Sequence, residues 1–219
     1  MNGEKKTVTV EIVSDAVCPW CWVGKRRLEA AETILRDRYD IVSVWKPFEL
    51  NPGLPPEGLP RDEYRKLKFG SLDYSRRLDR QVAEAGDAVG LEFRHDLMKW
   101  TPNTVDCHRL IRFAGIEAKQ DALVEALFRA YFEEGRNIGD HAVMVDIAES
   151  VGLDPARVAE MLASSEGADE VHEELTGARQ MGISGVPTFM IGGQPIFSGA
   201  APADLLARAI VQAASVDPA

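Results

Sequence analysis

The sequence predicts an α/β fold: a four-stranded sheet interrupted by a large all-helical insertion. Two observations support this prediction. Strand-like and helix-like segments follow one another as β-α-β at the start of the chain and as β-β-α at its end. Between them, from about residue 62 to 182, helical periodicity continues without a convincing strand. We therefore expect a discontinuous domain formed by residues 1–61 and 166–219, and a helical insertion formed by residues 62–165.

The first part of the sheet follows from local patterns. Residues 7–14 alternate between apolar and polar side chains, which predicts a strand. The helix after it places Leu28 and Ala31 on one apolar face. A second strand is predicted at residues 41–48, and the proline-rich stretch "NPGLPPEGLPRD" then ends regular structure. A β-α-β unit of this kind pairs its strands in parallel through a right-handed crossover.

The second part of the sheet is predicted near the end of the chain. A helix from about 166 to 181 ends the helical block, whose capping signals include Asp154 before Pro155. Residues 188–191 ("TFMI") then form a strand, and the following "GG" predicts a tight hairpin before an amphipathic final helix. Because the hairpin extends the sheet of the β-α-β unit, the predicted fold is a thioredoxin-type sheet with a helical insertion.

Composition and charge exclude several classes of partner. The 219-residue chain carries a formal net charge of −10, whereas binding to nucleic acid requires a basic face. An acidic protein is also repelled from anionic membrane surfaces, and no segment approaches the ~18 apolar residues of a membrane span. The first residues alternate like a strand and do not resemble a secretory signal. We therefore expect a cytoplasmic protein with no nucleic-acid or membrane partner.

Two of the three cysteines, Cys18 and Cys21, stand in the motif "CPWC" where the first strand leads into the first helix. A zinc site needs four ligands, and neither a second CxxC nor suitably spaced histidines are present. No metal site is therefore predicted. Disulfides of cytoplasmic proteins are usually transient and catalytic, which favours a redox pair over a structural bridge.

The position of the motif suits thiol chemistry. Cys18 is predicted at the N-cap of the first helix, with Pro19 in its first turn, where the missing N–H costs nothing. Free N–H groups and the helix dipole stabilise a thiolate there. Cys21 lies one turn further and can attack a mixed disulfide on Cys18. The spacing predicts Cys18 as the nucleophile and Cys21 as the resolving thiol.

A second element lies far away in the sequence, where Val186 and Pro187 directly precede a strand. Proline is normally avoided before a central strand because it removes a hydrogen-bond donor. A cis Val-Pro bond explains this placement, and it would present the Val186 backbone beside the cysteines. A trans proline at a sheet edge is the alternative. Together with the CxxC, the cis interpretation is favoured, and Val186 and Pro187 are predicted to contact substrate.

Several other residues have both a structural and a functional interpretation. Trp20 is predicted to be exposed beside the sulfurs, and Trp22 to be buried in the core. Cys107 lies on an apolar helical stripe and is predicted to be a buried, inert thiol, the alternative being a third redox thiol. His108 is predicted to face either the cleft or the solvent. The basic run "KRR" at 25–27 is interpreted as a solvated helix face.

Four segments resemble the DsbA-type thioredoxin superfamily and, within it, the FrnE-like cytoplasmic branch of dithiol oxidoreductases: "SDAVCPWCWVGKRRLE", "FELNP", "NTVDCHRL" and "GISGVPTFMIGG". The resemblance spans nearly the whole chain. It implies disulfide exchange through Cys18 and Cys21, with Pro187 as the cis-proline of the substrate groove. It also implies that Asn103 and Thr104, which the pattern first predicts as a helix N-cap, line the cleft. Pro19 and Trp20, which lie between the cysteines, are predicted to contact substrate.

A related branch contains 2-hydroxychromene-2-carboxylate isomerases and kappa-class glutathione transferases, which usually carry serine at the position of Cys18. Three hypotheses therefore stand. The first is a thiol–disulfide oxidoreductase whose partners are protein or small-molecule thiols and disulfides. The second is a glutathione-dependent isomerase or transferase, and the third a redox-responsive binding module. We expect no bound cofactor, glutathione as the one candidate co-substrate, and a monomer or homodimer.

Overall fold

The computed structural model describes residues 5–215. The strands of this part are β1 (Lys6–Ser14), β2 (Tyr39–Pro47), β3 (Leu59–Pro60), β4 (Trp100–Thr101), β5 (Thr188–Ile191) and β6 (Gln194–Ser198). Its helices are α1 (Pro19–Leu35), α2 (Arg61–Phe69), α3 (Leu72–Asp87), α4 (Val105–Ile116), α5 (Gln120–Phe132), α6 (His141–Ser150), α7 (Pro155–Ala163), α8 (Ala168–Gln180) and α9 (Ala203–Ser215). No helix within this range is long and apolar enough to span a membrane.

The main sheet confirms the predicted fold. Its strand order is β2-β1-β5-β6, with β1 parallel to β2 and β5 antiparallel to both of its neighbours. The hairpin between β5 and β6 turns at Gly192 and Gly193, whose φ angles are 57° and 73°. Only glycine adopts this left-handed backbone without strain. The sheet thereby joins the two ends of the chain, with β1 and β5 side by side at its centre.

Helix α1 connects the sheet to the helical block. Trp22 on α1 is fully buried, as predicted, and its ring stacks on Phe128 and Phe132 of α5. The basic run "KRR" departs from its prediction, because Lys25 is only 5% exposed and forms ion pairs with carboxylates of α1 and α5. Glu29 lies four residues away on α1, whereas the partner on α5, Asp121, is 96 residues away and beyond the reach of a local pattern.

Helices α2 to α7 occupy the stretch between the Pro-rich loop and residue 163. The predicted caps of α7 are present, since Asp154 Oδ1 accepts a hydrogen bond from the backbone N–H of Ala156. One expectation for this stretch was wrong. It contains a short strand, β4, which pairs antiparallel with β3. Two residues cannot show an alternating pattern, and therefore this small sheet left no periodic signal.

Helix α2 packs differently from the other helices. Arg61 is its one buried residue, whereas Lys66, Leu67 and Lys68 are exposed. The helix is held by polar contacts, including Arg61 and Arg65 to the Asp79 carboxylate of α3. It contacts α3 and the small sheet formed by β3 and β4.

Candidate active site

Cys18 is the N-cap of α1. Its backbone is extended (φ −92°, ψ 109°), and Pro19 occupies the first helical turn. The Cys18 N–H donates to Asp15 O at 2.9 Å, and the Cys21 N–H donates to Cys18 O at 3.0 Å. This tight turn at the end of β1 places Cys18 at the N-terminus of α1, where its side chain makes no capping hydrogen bond. A negative charge on that sulfur is stabilised at such a position.

The two sulfurs differ in their surroundings. Cys18 is 3% exposed, and its Sγ lies 3.6 Å from Val186 O, to which it donates as a thiol. Cys21 is fully buried behind it. Burial raises the pKa of Cys21 well above its usual range, and the neighbouring Cys18 adds to the effect. Of the two thiols, Cys18 therefore borders the neighbouring cleft and Cys21 does not.

The Val186–Pro187 peptide bond is cis. Pro187 is buried and packs closely on α1, where a Cβ added to Gly24 would stand 2.8 Å from Pro187 Cγ. Gly24 is therefore the residue that allows α1 to approach the proline. Gly24 is not among the predicted site residues, although a glycine inside a helix is a signal of close packing.

Cys18 borders a cleft of about 330 Å³. Pro19, Trp20 and Val186 line it from α1 and the loop before β5, and Trp20 is 38% exposed, as predicted. The rest of the lining comes mainly from α2, α3 and α5 and the loop after β2: Leu50, Asn51, Tyr64, Arg65, Lys68, Phe69, Leu78, Val82, Tyr131 and Phe132. The predicted contact residues thus meet apolar and cationic side chains of the helical block.

Asn51 links α2 to the loop after β2 through side-chain hydrogen bonds. Its Oδ1 accepts hydrogen bonds from Tyr64 OH at 2.8 Å and from Lys68 Nζ, and Lys68 Nζ also lies 3.3 Å from Leu50 O. The N–H of Leu50 donates to Asp15 Oδ2 at 2.8 Å. These contacts link the turn before Cys18 to α2. They were not predicted, because no local pattern connects residues of separate elements.

His108 faces neither the cleft nor the solvent. It is 3% exposed, and its Nε2 lies 2.9 Å from Phe48 O and 3.7 Å from Asp15 Oδ1. Cys107 is fully buried, as predicted, and its Sγ donates to Ile138 O at 3.1 Å. Burial raises the pKa of Cys107 above its usual range, and a thiol in this state is unreactive.

Asn103 and Thr104 lie at the start of α4. Thr104 is the N-cap residue but makes no capping bond with its side chain. Asn103 makes that bond instead, since its Oδ1 accepts from the Val105 N–H at 3.0 Å while its Nδ2 donates to Leu54 O. The structure places both residues outside the set that lines the cleft. In residues 5–215, no three histidine, cysteine or acidic side chains are arranged to hold a metal ion.

Comparison with known proteins agrees with this architecture. The family model described as "DSBA-like thioredoxin domain" matches residues 9–211. The uncharacterized protein YwbO of Bacillus subtilis is 30% identical over 205 residues, which cover 93% of this chain and 96% of YwbO. The crystal structure of a probable DsbA oxidoreductase from Streptomyces coelicolor has a TM-score of 0.87 and 33% identity, and the match covers 97% of this chain and 92% of that one.

Two more distant structures share the fold alone. A 2-hydroxychromene-2-carboxylate isomerase has a TM-score of 0.70 and 19% identity, with coverage of 96% of this chain and all of the other. The cytosolic disulfide reductase DsbM from Pseudomonas aeruginosa, also solved with GSH, has a TM-score of 0.66 and 17% identity, with coverage of 94% and 98%. Oxidoreductases and an isomerase are therefore both among the structural neighbours.

Proposed function

The chain belongs to the DSBA-like thioredoxin domain family, and from this premise we propose that it is a thiol–disulfide oxidoreductase acting through Cys18 and Cys21. One observation carries the proposal. Cys18 caps the N-terminus of α1 at the edge of a cleft, while Cys21 lies one turn behind it and is fully buried. An attacking and a resolving thiol need this arrangement.

In the reducing direction, the Cys18 thiolate attacks one sulfur of a substrate disulfide. A mixed disulfide forms, and the other substrate sulfur leaves as a thiolate. Cys21 then loses its proton and attacks Cys18, which releases the second substrate thiolate and leaves a Cys18–Cys21 disulfide. Two electrons pass from the protein to the substrate. Two equivalents of an external thiol then restore the dithiol by the same exchange and leave as their own disulfide. The oxidising direction is the reverse.

We assign substrate contact to the residues around Cys18. Val186 O already accepts from the Cys18 sulfur, so the adjacent backbone is within reach of a chain bonded to that sulfur. Pro19 and Trp20 supply apolar surface, and the exposed Trp20 ring is available for stacking. Pro187, buried against α1, is assigned to the site through the cis bond that orients Val186. A cleft of about 330 Å³ suits an extended peptide segment or a small thiol compound. Protein and small-molecule thiols and disulfides are the proposed partners.

The setting of this activity is also proposed. The sparse use of cysteine and the fold shared with the cytosolic reductase DsbM support a cytoplasmic location, in which the protein acts as a monomer or homodimer. We propose residues 1–61 and 166–219 as the domain that carries the thiols, and residues 62–165 as the insertion that completes the cleft.

The reduction potential of the Cys18–Cys21 pair decides whether the protein reduces or oxidises its substrates. A value near −270 mV marks a reductase and one near −120 mV an oxidase.

A glutathione-dependent isomerase or transferase is the second candidate. It is supported by the shared fold with 2-hydroxychromene-2-carboxylate isomerase and with DsbM, which was solved with GSH. In that case Cys18 holds glutathione and Cys21 has no role in turnover. Glutathione is also the co-substrate of choice for the first candidate. Because a third candidate, a redox-responsive binding module, has no turnover, any catalysed reaction argues against it.

Insulin reduction by a dithiol separates these candidates. We expect catalysis by the wild type, loss of catalysis in Cys18→Ser and in Cys21→Ser, and retention in Cys107→Ser. Isomerisation of 2-hydroxychromene-2-carboxylate in the presence of glutathione is measured on the same four proteins. An isomerase activity that survives in Cys21→Ser, together with no insulin reduction by the wild type, would replace the first candidate by the second.

A further inference from the structure

The CPWC motif holds no charged residue between its cysteines, since Pro19 and Trp20 are both neutral. Within the motif, a thiolate is therefore stabilised by the positive end of the α1 helix dipole. A second cation, if present, must come from another element that borders the cleft. Among the residues lining the cleft, four side chains can carry a positive charge: Arg61, Arg65, Lys68 and His95.

Three of these four side chains are grouped around one carboxylate, that of Asp79. Asp79 forms ion pairs with Arg61 at 3.1 Å and with Arg65 at 2.5 Å. His95 lies 3.9 Å from the same carboxylate, and burial lowers its pKa, so that it is mainly neutral at neutral pH. Lys68 differs from them, because no carboxylate among residues 5–215 lies within ion-pair distance of its Nζ.

The contacts of Lys68 hold its ammonium group beside the cleft. Nζ donates to Asn51 Oδ1 and to Leu50 O, and it lies 5.5 Å from the centre of the Tyr64 ring. Leu50 is itself bound to the Asp15 carboxylate, and the Asp15 carbonyl accepts the N–H of Cys18. Lys68 is thus attached to the segment that ends in the nucleophile.

The electrostatics of Lys68 agree with this position. Partial desolvation lowers the pKa of Lys68, and the charge of Arg65 acts in the same direction. The charges of Asp15 and of the Cys18 thiolate oppose this effect. Interaction between Lys68 and Cys18 is reciprocal, so that an ammonium group which favours a thiolate is favoured by it. The other titratable groups near Cys18 are Cys21 on α1, Tyr64 on α2, Asp79 on α3, His95 before β4 and Tyr131 on α5.

We propose that Lys68 is the electrostatic partner of Cys18: α2 delivers a cation across the cleft that stabilises the thiolate before attack and when it is released from a mixed disulfide. This inference deepens the proposed function, on which it rests. It assigns α2 of the helical block a part in reactivity, in addition to its place in the wall of the cleft.

The test measures the rate at which iodoacetamide alkylates Cys18 between pH 5 and 9, with the modified peptide identified by mass spectrometry. Lys68→Gln removes the charge, and Lys68→Arg keeps it. Lys66→Gln is the matched control, because Lys66 lies exposed on the same helix and outside the cleft lining. All variants are first compared by circular dichroism and thermal melting.

In Lys68→Gln, we expect the pH profile of alkylation to move upward and the rate near pH 6 to fall roughly three- to ten-fold. Lys68→Arg should restore the wild-type profile, and Lys66→Gln should match it. The difference in alkylation rate between the wild type and Lys68→Gln should shrink in 1 M salt, where the screening length is about 3 Å. A purely structural role through Asn51 would lower the melting temperature without moving the profile.

The proposal is overturned if Lys68→Gln and Lys66→Gln give the same profile, or if Lys68→Arg behaves like Lys68→Gln. Alkylation needs no substrate and no partner protein. The result is therefore independent of whether the wild type reduces insulin, and failure of this inference can be distinguished from failure of the oxidoreductase assignment.

Discussion

Lys25 Nζ on α1 lies 3.0 Å from Asp121 Oδ2 on α5, and Asp121 Oδ1 in turn accepts a hydrogen bond from Trp45 Nε1 on β2. Glu29 and Glu125 complete the set of carboxylates around the buried lysine. One ammonium group thereby joins the helix that carries the cysteines to the sheet and to the helical block.

Lys25→Met should destabilise the fold by about 2 kcal/mol, because it leaves several carboxylates without their shared cation. Urea unfolding followed by circular dichroism measures the loss. Arg36→Met is the control, since Arg36 is largely exposed and its ion pair with Asp37 is 3.9 Å long. A loss in Lys25→Met no larger than in Arg36→Met would contradict a structural role for the cluster.

The same cluster predicts that the stability of the fold depends on pH in the alkaline range. Burial alone would lower the pKa of Lys25, but the hydrogen bond from its ammonium group to Glu29 and the charge of Asp121 outweigh burial and raise it. A raised pKa in the folded state contributes stability that is fully present below about pH 10.4, the value of a free lysine. This contribution to stability is lost as the pH rises through the pKa of Lys25 in the folded state. The stability difference between the wild type and Lys25→Met should therefore shrink above pH 10.4.

Gly24→Ala tests the contact between α1 and the loop before β5. The added methyl group would stand 2.8 Å from a rigid proline ring, and overpacking of this kind costs about 1–3 kcal/mol. This exceeds the gain of at most about 1 kcal/mol from helix propensity. Gly177→Ala on α8 is the matched control, because no atom lies within 4 Å of its added Cβ. We expect Gly24→Ala to lower the melting temperature and insulin reduction, and Gly177→Ala to raise the melting temperature.

Cys21→Ser should trap partners of the enzyme. A mixed disulfide on Cys18 normally decays because the second thiol lies one turn away at high effective concentration, and serine cannot carry out this step. Reducible adducts on Cys18 should therefore accumulate in oxidatively stressed cells and be detected by mass spectrometry. Protein adducts indicate disulfide exchange, and glutathione alone indicates a glutathione-dependent role. Cys18→Ser is the control without adducts. If Cys21→Ser carries no reducible adduct either, the exchange mechanism is wrong.

Cys107→Ala should leave insulin reduction nearly unchanged. The thiol is fully buried and bonded to Ile138 O, away from the cleft lining. Loss of that contact and of the sulfur volume should cost about 1 kcal/mol of stability. Loss of most activity in a variant that remains folded would bring Cys107 into the mechanism.

The parts of this structure that sequence analysis predicted are those with a local signal. The alternation in β1, the glycine pair of the hairpin and the CPWC motif at a strand-to-helix junction each lie within a few residues. Burial of Trp22 and Cys107 followed from apolar helical faces. In each case the residues that carry the pattern are also the ones that form the structure.

The parts that it missed depend on partners far away in the sequence. Lys25 was interpreted as solvated because two of its three carboxylate partners, Asp121 and Glu125, lie on another helix. No role was predicted for Lys68, because its hydrogen-bond partner Asn51 and the cleft that it shares with Cys18 belong to other parts of the sequence. A short strand pair such as β3 and β4 has no period to detect. Charge pairing and cleft composition are properties of the tertiary structure and leave little trace in any one segment.

The sparse packing of α2 has a consequence for how this protein can evolve. The cysteines and Pro187 rest on the buried centre of the sheet, whereas α2 contributes a single buried residue, Arg61. Exposed positions of a helix tolerate substitution at small cost in stability. Mutations in α2 can therefore change which partners fit the cleft while the reactive sulfurs keep their geometry. Lys68 is the exception within α2, because its charge is assigned to the chemistry of Cys18 and a change there would alter reactivity as well as the cleft wall.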